Sequence, residues 1–378
     1  MSPLVLDIES TTHAKGNPFH YKNQLVCIGW GNTVGWANPL NRTIKDRIIA
    51  AIDSTEEIVG FNLKFDFHWL EKAGITNWKN KRIWDCQIAQ FIIRNQEERF
   101  PSLASSCEYW GISGKTDIVK TEYWDKGIDT LDIPEDILRE YCLNDLLITE
   151  QLYKTQLYHL TQKSQQLRLV RLHNKDLLSL QEMEYNGLKF NFLEAKARSE
   201  QITEELSRID SDLYSRFGNY PFNFNSGDHL SALLYGGTIT FHEKIPYEHT
   251  YKSGTKSGET AIRYKHSEKE VVFPRIFEPL PKSNLKKEGL FATDEPTLKQ
   301  LKGNKDLVSL LLERARIGKL KDTYYDGMAR IASDMGWKDA HLHGQFNQCI
   351  VVTGRLSSSR PNLQNIPSEV YELIESSY

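Results

Sequence analysis

The chain has 378 residues, 39% of them hydrophobic and 26% charged, with a net charge of −3. At roughly 150 residues per domain this is a globular chain of two to three domains, which excludes a disordered tail or a histone-like polycation. No apolar run approaches the ~20 residues of a membrane span, and Asp7 interrupts the N-terminus where a secretory signal would be apolar. A cytoplasmic location without membrane attachment is the expectation. Charge is uneven along the chain: residues 1–150 carry 16 Lys and Arg against 22 Asp and Glu, and the remainder carry 31 against 28. That split suggests cation binding in front and phosphate contact behind. The five cysteines lack any C-x-x-C spacing and read as reduced core thiols.

In chain order, Pro3 to Glu9 is a short apolar strand that ends in carboxylates. Gln24–Trp30 and Thr33–Trp36 read as a hairpin about Gly31-Asn32. Thr43–Ile52 has helical periodicity. Glu57–Phe61 is a buried-type strand, and Lys64–Ala73 a helix that stops near Gly74. Pro134 opens a helix containing Tyr141 and Asp145. From Leu152 to Tyr185, and again from Leu193 to Phe217, apolar residues recur at helical spacing. Residues 247–294 read as an exposed insertion. In it, Tyr251–Gly258 is loop-like, and Ala261–Tyr264 pairs with Glu270–Phe273 as a β-ribbon. Its lysines suit an exposed loop or a nucleic-acid backbone. Helix returns over Glu295–Asp334, and Leu342–Val352 alternates as a strand.

Three short motifs carry chemistry. Asp7-Ile8-Glu9 places two carboxylates on one strand face, because residues i and i+2 point the same way. Such a pair is costly unless neutralised, and hard oxygen ligands suit Mg²⁺ or Mn²⁺. Taken alone, such a pair is more often a solvated strand end. Asn62-Leu63-Lys64-Phe65-Asp66 lies at a strand-to-helix turn, where Asn and Asp also serve as caps. Tyr141-Cys142-Leu143-Asn144-Asp145 puts Tyr and Asp on one helical face. Asp85 reads as a helix cap, and Phe61, Phe65, Phe67 and Trp69 as mostly core.

Together, in this order, the three motifs resemble those of the 3′–5′ proofreading exonucleases of family A DNA polymerases. The resemblance covers residues 1 to about 155. It implies an RNase H-like α/β domain, a mixed sheet flanked by helices. It also implies two divalent cations, Mg²⁺ or Mn²⁺, since two cations about 3.5–4 Å apart activate water and stabilise the leaving oxygen. By the same resemblance Asp7 bridges both cations, Glu9 and Asp145 complete the water-activating position, and Asp66 holds the second cation partly through water. Tyr141 orients the attacking water, and Asn62 lines the single-strand cleft.

Farther along, Thr353-Gly354-Arg355-Leu356-Ser357-Ser358-Ser359-Arg360-Pro361-Asn362-Leu363-Gln364-Asn365-Ile366-Pro367 resembles a long polymerase motif of the same family. So do His343–Gln348 and Leu311–Tyr324, and Asn223–Ser226 more loosely. The implied architecture is an exonuclease domain over 1–158 and a mainly helical thumb-like region over 159–340. The first strands of a palm follow over 341–378. Arg314, Arg316, Lys319 and Lys321 place four cations in eight residues, suited to phosphates or to a solvated helix face. Arg355, Asn362 and Gln364 are donors fitted to minor-groove acceptors, which check pair shape without reading sequence. The implied partners are a single-stranded 3′ end in front and a primer-template duplex behind. The palm and fingers motifs of the family do not occur in these 378 residues. The expectation is therefore a chain that does not polymerise alone and is completed by a second polypeptide, as in a split, phage-like enzyme. A gene fragment without a stable partner, or a non-catalytic DNA-binding or assembly subunit, are the alternatives.

Overall fold

The structure is a computed structural model. It describes residues 2–375 except 115–116, 252, 254, 256–257, 286 and 339. Four positions of the loop expected over Tyr251–Gly258 therefore lie outside the described residues, as does the extreme C-terminus. The fold is mixed α/β. The chain divides into two compact units, Met1–Glu194 with Met328–Tyr378, and Ala195–Gly327. The domain boundary expected at residue 158 falls inside the first unit.

The first unit is built on a five-stranded sheet. Its elements are β1 (Leu4–Ser10), β2 (Leu25–Trp30), β3 (Thr33–Trp36), α1 (Arg42–Asp53), β4 (Glu57–Gly60), α2 (Leu63–Lys72), β5 (Arg82–Asp85) and α3 (Cys86–Ile93). α4 (Leu103–Trp110), α5 (Ile118–Glu122), α6 (Glu135–Thr161), α7 (Ser164–Asn186) and β6 (Leu188–Phe190) follow. The strand order is β3-β2-β1-β4-β5, with β1, β2 and β3 antiparallel and β4 and β5 parallel to β1. The hairpin expected at Gly31-Asn32 is present, with Trp30 paired to Thr33 and Gly31 in the left-handed region that a tight turn needs. β2 is buried along its whole length. All five cysteines are free and buried.

One close approach fixes the helix that carries Tyr141 and Asp145. A Cβ added to Gly29 of β2 would meet Cys142 Sγ at 2.6 Å and Leu146 Cδ1 at 2.9 Å, so α6 lies directly on the strand backbone. Gly29→Val overpacks this contact. The expected result is a loss of about 1–3 kcal/mol in denaturant unfolding, with the α6 face displaced from β1.

Residues 195–327 form the second unit, most of α8 (Phe192–Phe217), α9 (Gly227–Tyr235), β7 (Gly237–Thr250), β8 (Thr260–Phe273), α10 (Glu295–Leu298) and α11 (Lys305–Lys319). A π turn over Leu320–Tyr325 leads into α12 (Asp326–Met335). Its core is aromatic: Phe222, Phe224, Phe241, Phe273 and Phe277 pack with Tyr235, Leu234 and Leu311. The ribbon differs from the sequence expectation. Ala261–Tyr264 and Glu270–Phe273 do not pair with each other; both belong to β8, whose partner is β7. Residues 265–269 hold no turn-forming Gly, Pro, Asn or Asp, so the strand runs on through them.

The chain then returns to the first unit as β9 (His341–Leu342), β10 (Gln345–Asn347), β11 (Ser357–Ser359), α13 (Ser368–Tyr371) and β12 (Ile374–Glu375). The single strand expected over Leu342–Val352 is two short ones, β9 paired with β6 and β10 paired with β11. No helix among the described residues is long and apolar enough to cross a membrane.

Candidate active site

The front of β1 gathers the carboxylates. Alternation sends Leu6 and Ile8 into the core, while Asp7 and Glu9 share the opposite face and are half-buried. Asp66, in the first turn of α2, is 3% exposed. Burial first, then the charges of Asp7 and Asp85, push its carboxyl well above the usual carboxylate range. The backbone amides of Asp66 and Ile8 oppose this, and none of these influences comes from a cationic side chain. From α6, Asp145 is 6% exposed. Burial, then Glu9, Asp145 and Asp7, hold the Tyr141 phenol far above its ordinary pKa, and Tyr141 is hydrogen-bonded to Asp145. The neutral phenol is the donor of that bond.

Asp7 of β1 thus acts electrostatically on Asp66 of α2, and Asp7, Glu9 and Asp145 act on Tyr141 of α6. Among the described residues, no three or more His, Cys, Asp or Glu side chains stand in a metal-holding cluster. The donor chemistry nevertheless fits a divalent cation. Hard oxygens on two strand positions and two helices carry a surplus of negative charge that a dication offsets. Cys142 adds a contact that spacing did not disclose: its thiol donates to Asp7 Oδ2 over 3.6 Å. A hydrogen bond with Cys27, then burial, then Asp7 keep that thiol protonated.

Asn62 and Asp85 separate clearly. Asn62 is exposed, sits in the left-handed region (φ 63°) and makes no side-chain cap. Asp85 is buried and accepts from the backbone amides of Asn62, Leu63, Gln87 and Ile88, at 2.7–3.2 Å. It locks the β4–α2 turn to the start of α3, which is the capping role read from sequence.

The opposite side of α2 is tied elsewhere. Glu184 of α7, 3% exposed, accepts from Lys64 Nζ at 2.7 Å and lies 2.8 Å from His68 Nε2. It also accepts the Phe346 amide of β10 at 2.5 Å, while Lys64 donates to the Phe346 carbonyl. Lys64 and His68, one turn apart, thus bind the polymerase-like hairpin to the helix that carries Asp66. A cavity of about 380 Å³ lies beside Tyr141, lined by Ile118, Val119, Ile137, Leu143 and Leu147 among others.

The residues read as DNA contacts do not form one set. Arg314 is largely withdrawn from solvent. Its guanidinium binds Asp210 at 2.5 Å and Asn225 at 2.8 Å and lies over the Phe224 ring. Lys321 binds Ser199 Oγ at 3.0 Å and the Asp326 carboxylate. Both have partners within the fold. Arg316 pairs with Glu313 at 2.7 Å on the surface, and Lys319 is exposed. Arg355, Asn362 and Gln364 are exposed, with Asn362 Oδ1 accepting the Gln364 amide at 3.0 Å.

Residues 265–376 match the family model of DNA polymerase family A. DNA polymerase I of Synechocystis sp. is 26% identical over 316 residues, covering 81% of this chain and 26% of the relative. DNA polymerase I of Bacillus subtilis is 27% identical over 292 residues, covering 76% and 27%. The thermostable DNA polymerase I of Thermus filiformis is 29% identical over 188 residues, covering 50% and 17%. The chain spans about a quarter of the length of the first two relatives. Among solved structures, the POL domain of Pol1 from M. smegmatis, in complex with DNA primer-template and dNTP, aligns with a TM-score of 0.68 at 18% identity. That alignment covers 97% of this chain and 52% of the other, and is a likeness of fold. Over these stretches the chain is similar to DNA polymerases of family A.

Proposed function

We propose that the first unit is an RNase H-like 3′–5′ exonuclease that trims single-stranded DNA ends for a family A polymerase. The observation that carries this reading is that Asp7 of β1 acts both on the buried Asp66 of α2 and, with Glu9 and Asp145, on Tyr141 of α6. Burial and the charges of Asp7 and Asp85 raise the Asp66 carboxyl against the pull of two backbone amides, the kind of perturbation that marks functional acids.

Asp7, Glu9, Asp66 and Asp145 would hold two divalent cations, Mg²⁺ or Mn²⁺. These supply activation of water and stabilisation of charge on the leaving 3′ oxygen. Asp66 and Asp145 sit where water is largely excluded, which would strengthen their attraction for a bound cation. Tyr141 keeps its proton across the working pH range and orients the attacking water by its hydroxyl without competing as an anionic ligand. The apolar cavity beside it suits a nucleobase, and the exposed Asn62 side chain is free of capping duty at the turn before Asp66.

Arg314, Arg316, Lys319, Lys321, Arg355, Asn362 and Gln364 are the candidates for primer-template contact, the last three in a polymerase-like segment. Polymerisation would require palm and fingers residues outside these 378, on the same or on a second polypeptide. Restoration of primer extension by mixing with a polypeptide carrying them tests that partner.

The nuclease reading is tested with 5′-labelled single-stranded DNA and Mg²⁺. The expected result is a ladder shortening from the 3′ end, stopped by EDTA and by a blocked 3′ terminus. Cleavage in the interior, or none at any Mg²⁺ or Mn²⁺ concentration, contradicts it.

A further inference from the structure

We propose that the distal half of the β7–β8 ribbon binds single-stranded DNA through the face that carries Tyr247, His249, Arg263 and Lys265. This goes beyond the nuclease reading and does not rest on it.

The two strands pair over 14 residues each, so the ribbon is roughly 45 Å long at about 3.3 Å per residue. Only its base is anchored: Ile239, Phe241 and Phe273 enter the aromatic core of the second unit. Beyond them the ribbon is exposed, yet it keeps large apolar and aromatic side chains there. On one face Ile245 is 47% exposed and Tyr247 44%. A lone two-stranded ribbon is at best marginally stable and gains little by leaving such side chains in water. A partner that covers them gives them a role.

The register decides which side chains stand together. Tyr247 lies opposite Arg263, Ile245 opposite Lys265, and His249 opposite Ala261. Directly paired residues share a face, and alternate pairs repeat it. On that face the Tyr247 and His249 rings are 6.3 Å apart and the His249 and Tyr251 rings 5.2 Å, each pair nearly perpendicular. The Arg263 guanidinium lies 5.1 Å from the Tyr251 ring centre and stands directly across the ladder from Tyr247. Arg263 thus lies beside two tyrosines.

Charge identifies the occupant. Arg263 and Lys265 form no ion pair with a carboxylate among the described residues, whereas Arg216, Lys299 and Arg316 of the same unit each do. Glu259, opposite Tyr251, is the one acid that the pairing adds to the distal part of this face. Rings at i, i+2, i+4 with unpaired cations alongside are a platform for stacked bases with phosphates between them. The stacking is tolerant of sequence, because every base has a π face.

The test is fluorescence anisotropy of labelled oligothymidylate with the full chain in EDTA, which prevents hydrolysis. The variants are Tyr247→Ala, Tyr247→Phe, Arg263→Gln and Arg263→Glu, each checked for unchanged circular dichroism. Tyr247→Ala is expected to weaken binding roughly tenfold, the loss of one stacked base, while Tyr247→Phe retains affinity. Arg263→Gln is expected to reduce the slope of log affinity against log salt by about one, and Arg263→Glu to weaken binding further. Equal affinity and salt slope in all four variants overturns the proposal. So does a loss confined to blunt duplex, which would mark a groove contact instead. Hydrolysis at the carboxylate site is measured separately in Mg²⁺, so failure of the nuclease reading is distinguishable from failure of this one.

Discussion

Asp7→Asn lowers the rate of Mg²⁺-dependent removal of 3′ nucleotides by about 10³-fold or more, the several kcal/mol that a lost metal-supporting carboxylate removes from transition-state stabilisation. The same substitution raises the thermal stability of the metal-free protein. The reason is electrostatic. Burial and the charge of Asp7 hold the Asp66 carboxyl well above its usual range, so near neutral pH the fold carries the cost of two close acids. An acid whose folded pKa is raised destabilises the fold as pH climbs above its unfolded value, and costs nothing when it is protonated in both states. The stability gain of Asp7→Asn therefore grows from mildly acidic to neutral pH and vanishes in acid. Thermal melts across pH in EDTA, set beside rates in Mg²⁺, separate the two effects. A variant that loses stability and activity together would instead make Asp7 a structural residue.

Glu184→Ala is expected to cost about 3–5 kcal/mol in denaturant unfolding, the usual price of removing one partner from a buried charge pair. It leaves the Lys64 ammonium without its counter-ion and the Phe346 amide without its acceptor. Burial pushes the Glu184 carboxyl up, but the His68 hydrogen bond and the Lys64 charge outweigh it and hold it below the ordinary glutamate range. A carboxylate with a lowered folded pKa stabilises the fold above its unfolded value, and that stability is lost as pH falls through the folded one. The wild type therefore loses this contribution only below the ordinary glutamate range, and Glu184→Ala flattens that acid limb. Glu184→Gln keeps an acceptor for the Phe346 amide and is the milder change. An unfolding free energy equal to wild type would show that the hairpin docks by other contacts.

What the sequence disclosed and what it did not follow from the range of each interaction. β1, the β2–β3 hairpin, α1, β4 and α2 are legible because their periods and turns are local. Asp7 with Glu9, and Tyr141 with Asp145, are legible as pairs for the same reason. The convergence of Asp66 on Asp7 was anticipated through resemblance, since nothing in the spacing of residues 7 and 66 dictates it. The Lys64–Glu184 pair spans 120 positions and Arg314–Asp210 spans 104. A run of cations gives no sign of which members meet an acid from a distant helix. The ribbon misled for a related reason: two apolar tetrads close in sequence resembled a hairpin, while the true partner strand began at Gly237 across a loop. Gly29, too, reads as an ordinary strand glycine until α6 is laid against it.

Binding of Mn²⁺ followed by electron paramagnetic resonance, in parallel with hydrolysis of single-stranded DNA, tests the central claim most directly. The account predicts that wild-type hydrolysis rises with Mn²⁺ occupancy, and that the bound ion raises the melting temperature by neutralising Asp66 and Asp7. It also predicts that Asp7→Asn loses binding and hydrolysis together. Undiminished Mn²⁺ binding in Asp7→Asn, or hydrolysis that persists in EDTA, would contradict it.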